Sequence, residues 1–183
     1  MTLRADLAAL VAEAGLPDAD VEGAVADEHV RWRLYVDVIE AVTAAPRRGG
    51  DRAVAAAILR DPEELVSKAA VVRLVDNVAA GAAGPAEFQR WAAELAPEIR
   101  RFAAEGHRAF VHRRIRDWTV RLAIESGRTP DAAELADTTP WMQRVLAEES
   151  TSSPVLAVLA ESGRTRKIRN IARDRARKLA KPR

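Results

Sequence analysis

The sequence predicts an all-α protein: a helical bundle or short solenoid-like array of about ten helices around a long central helix at residues 98–126. Three observations predict it. No stretch alternates apolar and polar residues with the period of a strand. Proline recurs directly behind a capping or turn residue, the position where its missing N–H and fixed φ suit the first turn of a helix. Hydrophobic residues make up 48% of the 183-residue chain but aromatics only 4%, so its core must come from Ala, Leu, Val and Ile, which suits closely packed helices.

In chain order, helices are expected at residues 3–14 and 19–45, the second broken around Ala26. The loop Pro46-Arg47-Arg48-Gly49-Gly50-Asp51 is the clearest breaker and precedes a helix at 52–60. Asp61-Pro62-Glu63-Glu64 has the capping-box arrangement and starts a helix over 62–80. Gly81-Ala82-Ala83-Gly84 ends it, and Gly84-Pro85 opens the next at 86–95. Along 98–126, Phe102, Gly106, Phe110, Ile115, Trp118 and Leu122 recur near helical spacing as a buried stripe. Thr129-Pro130, Thr139-Pro140 and Ser153-Pro154 mark helices at 130–136, 140–149 and 154–162, and a last helix is expected at 165–180. Glu125-Ser126-Gly127-Arg128-Thr129 recurs as Glu161-Ser162-Gly163-Arg164-Thr165. In both, glycine fits the left-handed position after a helix and threonine suits the cap of the next.

Charge is unevenly distributed. The total is only +2, yet residues 164–183 hold ten Lys/Arg against the single Asp174, leaving 19 Lys/Arg against 26 Asp/Glu elsewhere. This divides the chain into a helical body, 1–163, with sub-layers 1–80 and 85–163, and a basic C-terminal helix or tail, 164–183. Arginine outnumbers lysine 25 to 4, which GC-rich coding produces without selection for a partner, so the distribution of cations carries more information than their number.

Several chemistries are excluded or left without support. The absence of cysteine removes disulfides, thiolate metal sites and Cys nucleophiles. No apolar run approaches the ~18 residues of a membrane span, and Met1-Thr2-Leu3-Arg4-Ala5-Asp6 leads into charge, so the expected location is the cytoplasm. His107 and His112 are five apart, well over 100° around a helix, where a metal pair needs a spacing of four. No nucleophile elbow surrounds Ser67, Ser126 or Ser162, and no phosphate-binding fingerprint surrounds the glycines. The carboxylates Asp18, Asp20, Glu22, Asp27 and Glu28 read as a solvated face. The expectation is a non-enzyme with no metal and no cofactor.

The cations form a more specific pattern. Arg166, Arg169, Arg173 and Arg177 step by three or four into one line, with Lys167, Arg175, Lys178 and Lys181 beside it, while Ile168, Ile171, Ala172 and Leu179 form an apolar stripe on the other side. One face can dock on the body and the other meet phosphate. On the long helix Arg100, His107, Arg114 and Arg121 step by seven, with Arg101, Arg108, His112 and Arg116 nearby. A groove between two such strips would suit bidentate phosphate contacts. Candidate phosphate-binding residues are therefore Arg166, Lys167, Arg169, Arg173, Arg177, Lys178, Arg108 and Arg114. Residues 155–171 have an approximate helix-turn-helix shape without the usual turn pattern, and residues 164–183 lack aromatics, so contact with the nucleic-acid backbone is expected over base readout.

From Asp137 to Ala172, the segments Thr139-Pro140-Trp141-Met142-Gln143-Arg144-Val145-Leu146 and Ser153-Pro154-Val155-Leu156-Ala157-Val158-Leu159-Ala160, followed by basic Arg164-Thr165-Arg166-Lys167-Ile168, resemble HEAT-like and leucine-rich-repeat-variant solenoids. The resemblance covers about a quarter of the chain and implies stacked helices with a partner-binding surface. Three functions remain open: a non-catalytic binder of DNA or RNA; a protein–protein adaptor or self-associating module with an apolar patch around Trp32, Trp91 or Trp141; and a ligand pocket or cryptic enzyme around Trp118, His107 and Glu105.

Overall fold

The computed structural model describes residues 2–45 and 50–180. They form eleven helices and no strand: α1 (Leu3–Ala14), α2 (Val21–Ala26), α3 (Glu28–Ala44), α4 (Asp51–Ile58), α5 (Glu64–Ala80), α6 (Pro85–Ile99), α7 (Glu105–Glu125), α8 (Ala132–Asp137), α9 (Pro140–Glu149), α10 (Ser153–Ser162) and α11 (Arg166–Ala180). The chain is all-α, and α7, at 21 residues, is the longest helix. Most of the breaker Pro46-Arg47-Arg48-Gly49, and Lys181 beyond α11, lie outside the described residues. Contacts divide the chain into two compact units, Met1–Ala82 with Arg90–His112, and Ala83–Gln89 with Arg113–Arg183.

In the first unit α3 packs on α1, α2 and α5, and α4 lies against α1, α3 and α5. Leu7, Val38, Ile39, Ile58, Val71, Leu74 and Val75 are fully buried there. The break near Ala26 falls at Asp27, whose Oδ1 accepts the N–H groups of His29 and Val30 and thereby starts α3. The expected capping box at Asp61 does not form. Asp61 Oδ2 instead accepts Arg31 Nε and Tyr35 Oη, both at 2.7 Å, while its Oδ1 accepts Glu63 N. Arg31 Nη1 also donates to Ala24 O, so one buried carboxylate network ties α2, α3 and the turn before α5 together. A buried guanidinium is a stronger claimant for that carboxylate than an exposed helix end.

Between residues 95 and 105 the structure again departs from expectation. α6 runs through Pro97 to Ile99, and α7 begins only at Glu105. Pro97 lies in the last turn, where it removes a single helical hydrogen bond. Glu64 of α5 then sets the new start: its Oε1 accepts Ala103 N and Ala104 N, and its Oε2 lies 3.0 Å from His107 Nδ1. The N-terminus of α7 is capped from another helix, a relation that local sequence does not encode.

In the second unit α11 packs on α10 and α9, and α10 also touches α8 and α9. Met142, Leu146, Val155, Leu156 and Leu159 are buried with Ile168 and Ala172 of α11. Thr139 caps α9 by accepting Met142 N, as expected. α8 begins later than expected because Asp131, not Thr129, accepts Glu134 N. Buried Gln143 of α9 donates through Nε2 to Leu135 O and accepts Arg164 N at 2.9 Å, fastening α8 and the α10–α11 turn to α9.

The two Glu-Ser-Gly-Arg-Thr corners differ. Gly127 has φ +91° and follows α7 in the left-handed region. Gly163 has φ −54°, so its glycine is needed for space: a Cβ there would lie 2.5 Å from Leu159 O and 2.8 Å from Ile168 Cγ2. Thr165 accepts Ile168 N and caps α11, a role Thr129 does not play for α8.

Candidate nucleic-acid interface

The α11 helix is held by one narrow face. Ile168 and Ala172 are buried, while Arg166, Lys167, Arg173, Arg177 and Lys178 are exposed and Arg169 is half-buried. Leu179, also on the apolar stripe, is 42% exposed near the end of the helix.

The charged groups of α11 find few counter-charges. Among the described residues its ion pair is internal and long, Arg177 to Asp174 at 3.6 Å. Arg169 donates to Gly163 O at 2.7 Å and Arg173 to Asn170 Oδ1 at 3.1 Å. Arg175 reaches the carbonyls of Ser150 and Glu149 at 3.4 and 3.5 Å, and Arg164 donates to Ala136 O. Arg166, Lys167 and Lys178 have no hydrogen-bond or ion-pair partner among the described residues. Among the described residues no ion pair joins α11 to acidic groups outside it.

Six of the eight candidate residues therefore share one helix, and the other two lie apart from them in role. Arg108, in the first unit, donates through Nη1 to the carbonyls of Phe102 and Ala103 and secures the turn before α7. Arg114, in the second unit, places its guanidinium carbon 3.2 Å from the ring centroid of Trp141. Trp141 in turn lies 6.2 Å from Trp118, and Arg121 sits 5.0 Å above Trp118. These cations are engaged in stacking and carbonyl capping.

Other arrangements in the molecule carry less chemistry. A cavity of about 550 Å³ in the second unit is lined by Arg121, Ile124, Arg128, Val145, Glu149 and Ser152, among others. Its Arg121 is already neutralised by Glu125 and Glu149, each at 2.8 Å, and Arg128 by Glu134. Burial pushes the Asp117 carboxyl above its ordinary value, against the pull of its Thr139 hydrogen bonds and of Arg114 and Arg116; it serves the start of α9 by accepting Thr139 N at 3.1 Å. Among the described residues no three His, Asp or Glu side chains gather as a metal site, and no helix is long and apolar enough to cross a membrane.

Sequence reasoning missed two residues here. Gln143, which fixes the turn into α11, looks like any amide on a short helix until its partners are known. Asn170 was detectable: it is an uncharged amide at i+4 from Arg166 and i−7 from Arg177, on the cationic line itself. No family model, curated protein or solved structure matches this chain.

Proposed function

We propose that this protein is a non-catalytic binder of nucleic acid that contacts phosphates through α11. The observation that carries this reading is the state of the helix: anchored by Ile168 and Ala172, it holds seven Lys/Arg against Asp174 alone, three of them without a partner among the described residues. A cationic face left unneutralised by its own protein is suited to a polyanion, whose condensed counterions are released on binding. Arg166, Lys167, Arg169, Arg173, Arg177 and Lys178 supply the contacts.

The test is a titration of the full chain against short DNA and RNA at about 50 and 200 mM salt, beside an Arg166→Gln, Arg173→Gln, Arg177→Gln variant. These three side chains lie away from Ile168 and Ala172, so the variant keeps its fold. The expected result is affinity that falls steeply with salt and a shallower slope for the variant. Absence of binding by the full chain sinks the reading.

One observation favours the adaptor reading instead. Leu65 is 65% and Phe110 43% exposed in the first unit, with Lys68 Nζ 5.4 Å from the Phe110 ring; of the three tryptophans expected in such a patch, Trp141 is 37% exposed and Trp32 and Trp91 are half-buried. That reading predicts a defined oligomer or complex that is insensitive to salt and is lost in Leu65→Ser, Phe110→Ser.

A further inference from the structure

We infer, resting on the phosphate-binding reading, that α11 is a recognition helix for the major groove of duplex DNA and that Asn170 reads a base edge there. The first support is architectural. α10 and α11 are joined by only three residues, Gly163, Arg164 and Thr165, and both pack on α9. The turn is fixed at each position. Gly163 is packed against Leu159 O and Ile168, Arg164 N is bound by buried Gln143, and Thr165 caps α11. A short, rigid, glycine-containing turn between two helices is the device that holds a second helix out for the major groove.

The exposed face of α11 provides the second support. Arg166, Asn170, Arg173 and Arg177 follow at i, i+4, i+7 and i+11, one line along the helix spanning about 16 Å. Lys167 and Lys178 lie about 100° to one side of that line, with Asp174, paired to Arg177, on the same side; half-buried Arg169 lies about 70° to the other, its Nη1 on Gly163 O. A helix of about 10–12 Å diameter fits a groove about 12 Å wide, with its centre facing base edges and its flanks facing the phosphates of the two strands.

The chemistry of the line gives the specificity. Asparagine presents a carbonyl and an amide that match N6–H and N7 of adenine, and arginine matches O6 and N7 of guanine. Arg173 donates to Asn170 Oδ1, which orients the amide while leaving the oxygen's second lone pair and both Nδ2 protons for a base. The same features select against other nucleic acids. The major groove of A-form RNA is too narrow for side chains, and residues 164–183 contain no aromatic on which a single strand can stack.

The experiment is selection by the full chain from a randomised duplex DNA pool, followed by anisotropy titrations of the enriched duplex, its single strands, the matching double-stranded RNA, and the duplex carrying 7-deazaadenine in place of each adenine in turn. Asn170→Ala, which leaves Ile168 and Ala172 in place, is titrated in parallel. The expected outcome is an enriched sequence, bound at least about tenfold more tightly as DNA duplex than as single strand or RNA duplex, with one adenine whose N7 removal costs about ten- to a hundredfold. Asn170→Ala should relax preference at that position alone and leave the salt slope unchanged. Salt-dependent binding with no enriched sequence, or with indifference to 7-deazaadenine and to Asn170→Ala, overturns the recognition helix while the phosphate reading survives. No binding to any nucleic acid overturns both.

Discussion

Two carboxylates of the first unit, Asp61 and Glu64, each join segments far apart in sequence. Arg31 is 4% exposed and its charge is matched, among the described residues, by Asp61, so Asp61→Ala strands a guanidinium in the core and also frees Tyr35 Oη. The expected cost is about 3–5 kcal/mol in urea unfolding, of which an Arg31→Met, Asp61→Leu pair recovers a large part because it removes both charges together. Glu64 behaves differently because it is partly open to solvent. Burial pushes its carboxyl up, but the Ala104 and Ala103 N–H groups and His107 outweigh this and hold it below its ordinary value of 4.5. Its ionised form therefore favours the fold. That contribution is complete above the unfolded value and is lost as pH falls through the lowered folded one. The stability gap between the native chain and Glu64→Gln should accordingly shrink on going from about pH 6 to about pH 3; a gap that stays constant would show that the carboxylate's charge has no part in capping α7.

At the scale of elements, helix starts encoded by neighbouring residues were legible, α8 excepted, where Asp131 displaces Thr129 as the cap, and those set from a distance were not. Thr139-Pro140 and Gly84-Pro85 open α9 and α6 because cap and proline act within one turn. Asp61 also precedes a proline, yet Arg31, thirty residues away, claims its carboxylate, and Glu64 caps α7 across some forty residues. The cationic line of α11 was legible because it depends only on helical spacing. The engagement of Arg108 with Phe102 O and of Arg114 with Trp141 depends on where turns end and helices pack, which spacing does not report. The paired glycine corners show the same limit, since five identical letters produce two geometries, and they supply a test. Gly127→Ala must place a Cβ in the left-handed region and should cost about 1–2 kcal/mol. Gly163→Ala drives a Cβ into a backbone carbonyl that cannot rotate away, and should cost about 3 kcal/mol or more, near or beyond the upper end of ordinary overpacking. Thermal unfolding of the two variants should rank them in that order, and equal losses would contradict the assignment of Gly163 to close packing.

Charge organises the molecule at the largest scale. The first unit holds 13 Lys/Arg against 17 Asp/Glu and the second 16 against 10, so a near-neutral chain consists of an acidic unit and a basic one. On the proposed phosphate-binding reading, this difference in charge acts in two ways. The basic unit would attract phosphate, and the field of the acidic unit would oppose any binding pose that uses its own surface. The two effects differ in range. Direct phosphate contacts persist at high salt in weakened form, whereas repulsion through solvent fades once separations exceed the Debye length, about 10 Å at 0.1 M. On that reading, neutralising exposed acids of the first unit with no ion pair among the described residues, as in Asp18→Asn, Asp37→Asn, Glu94→Gln, should tighten DNA binding more at about 50 mM salt than at about 200 mM. Neutralising Arg166, Arg173 and Arg177 should weaken binding at both. Anisotropy titrations of the two triple variants separate these roles: equal tightening at both salt concentrations would mean that the acidic side chains compete directly for the cations of α11, and no change at either would mean that the charge of the first unit has no bearing on binding.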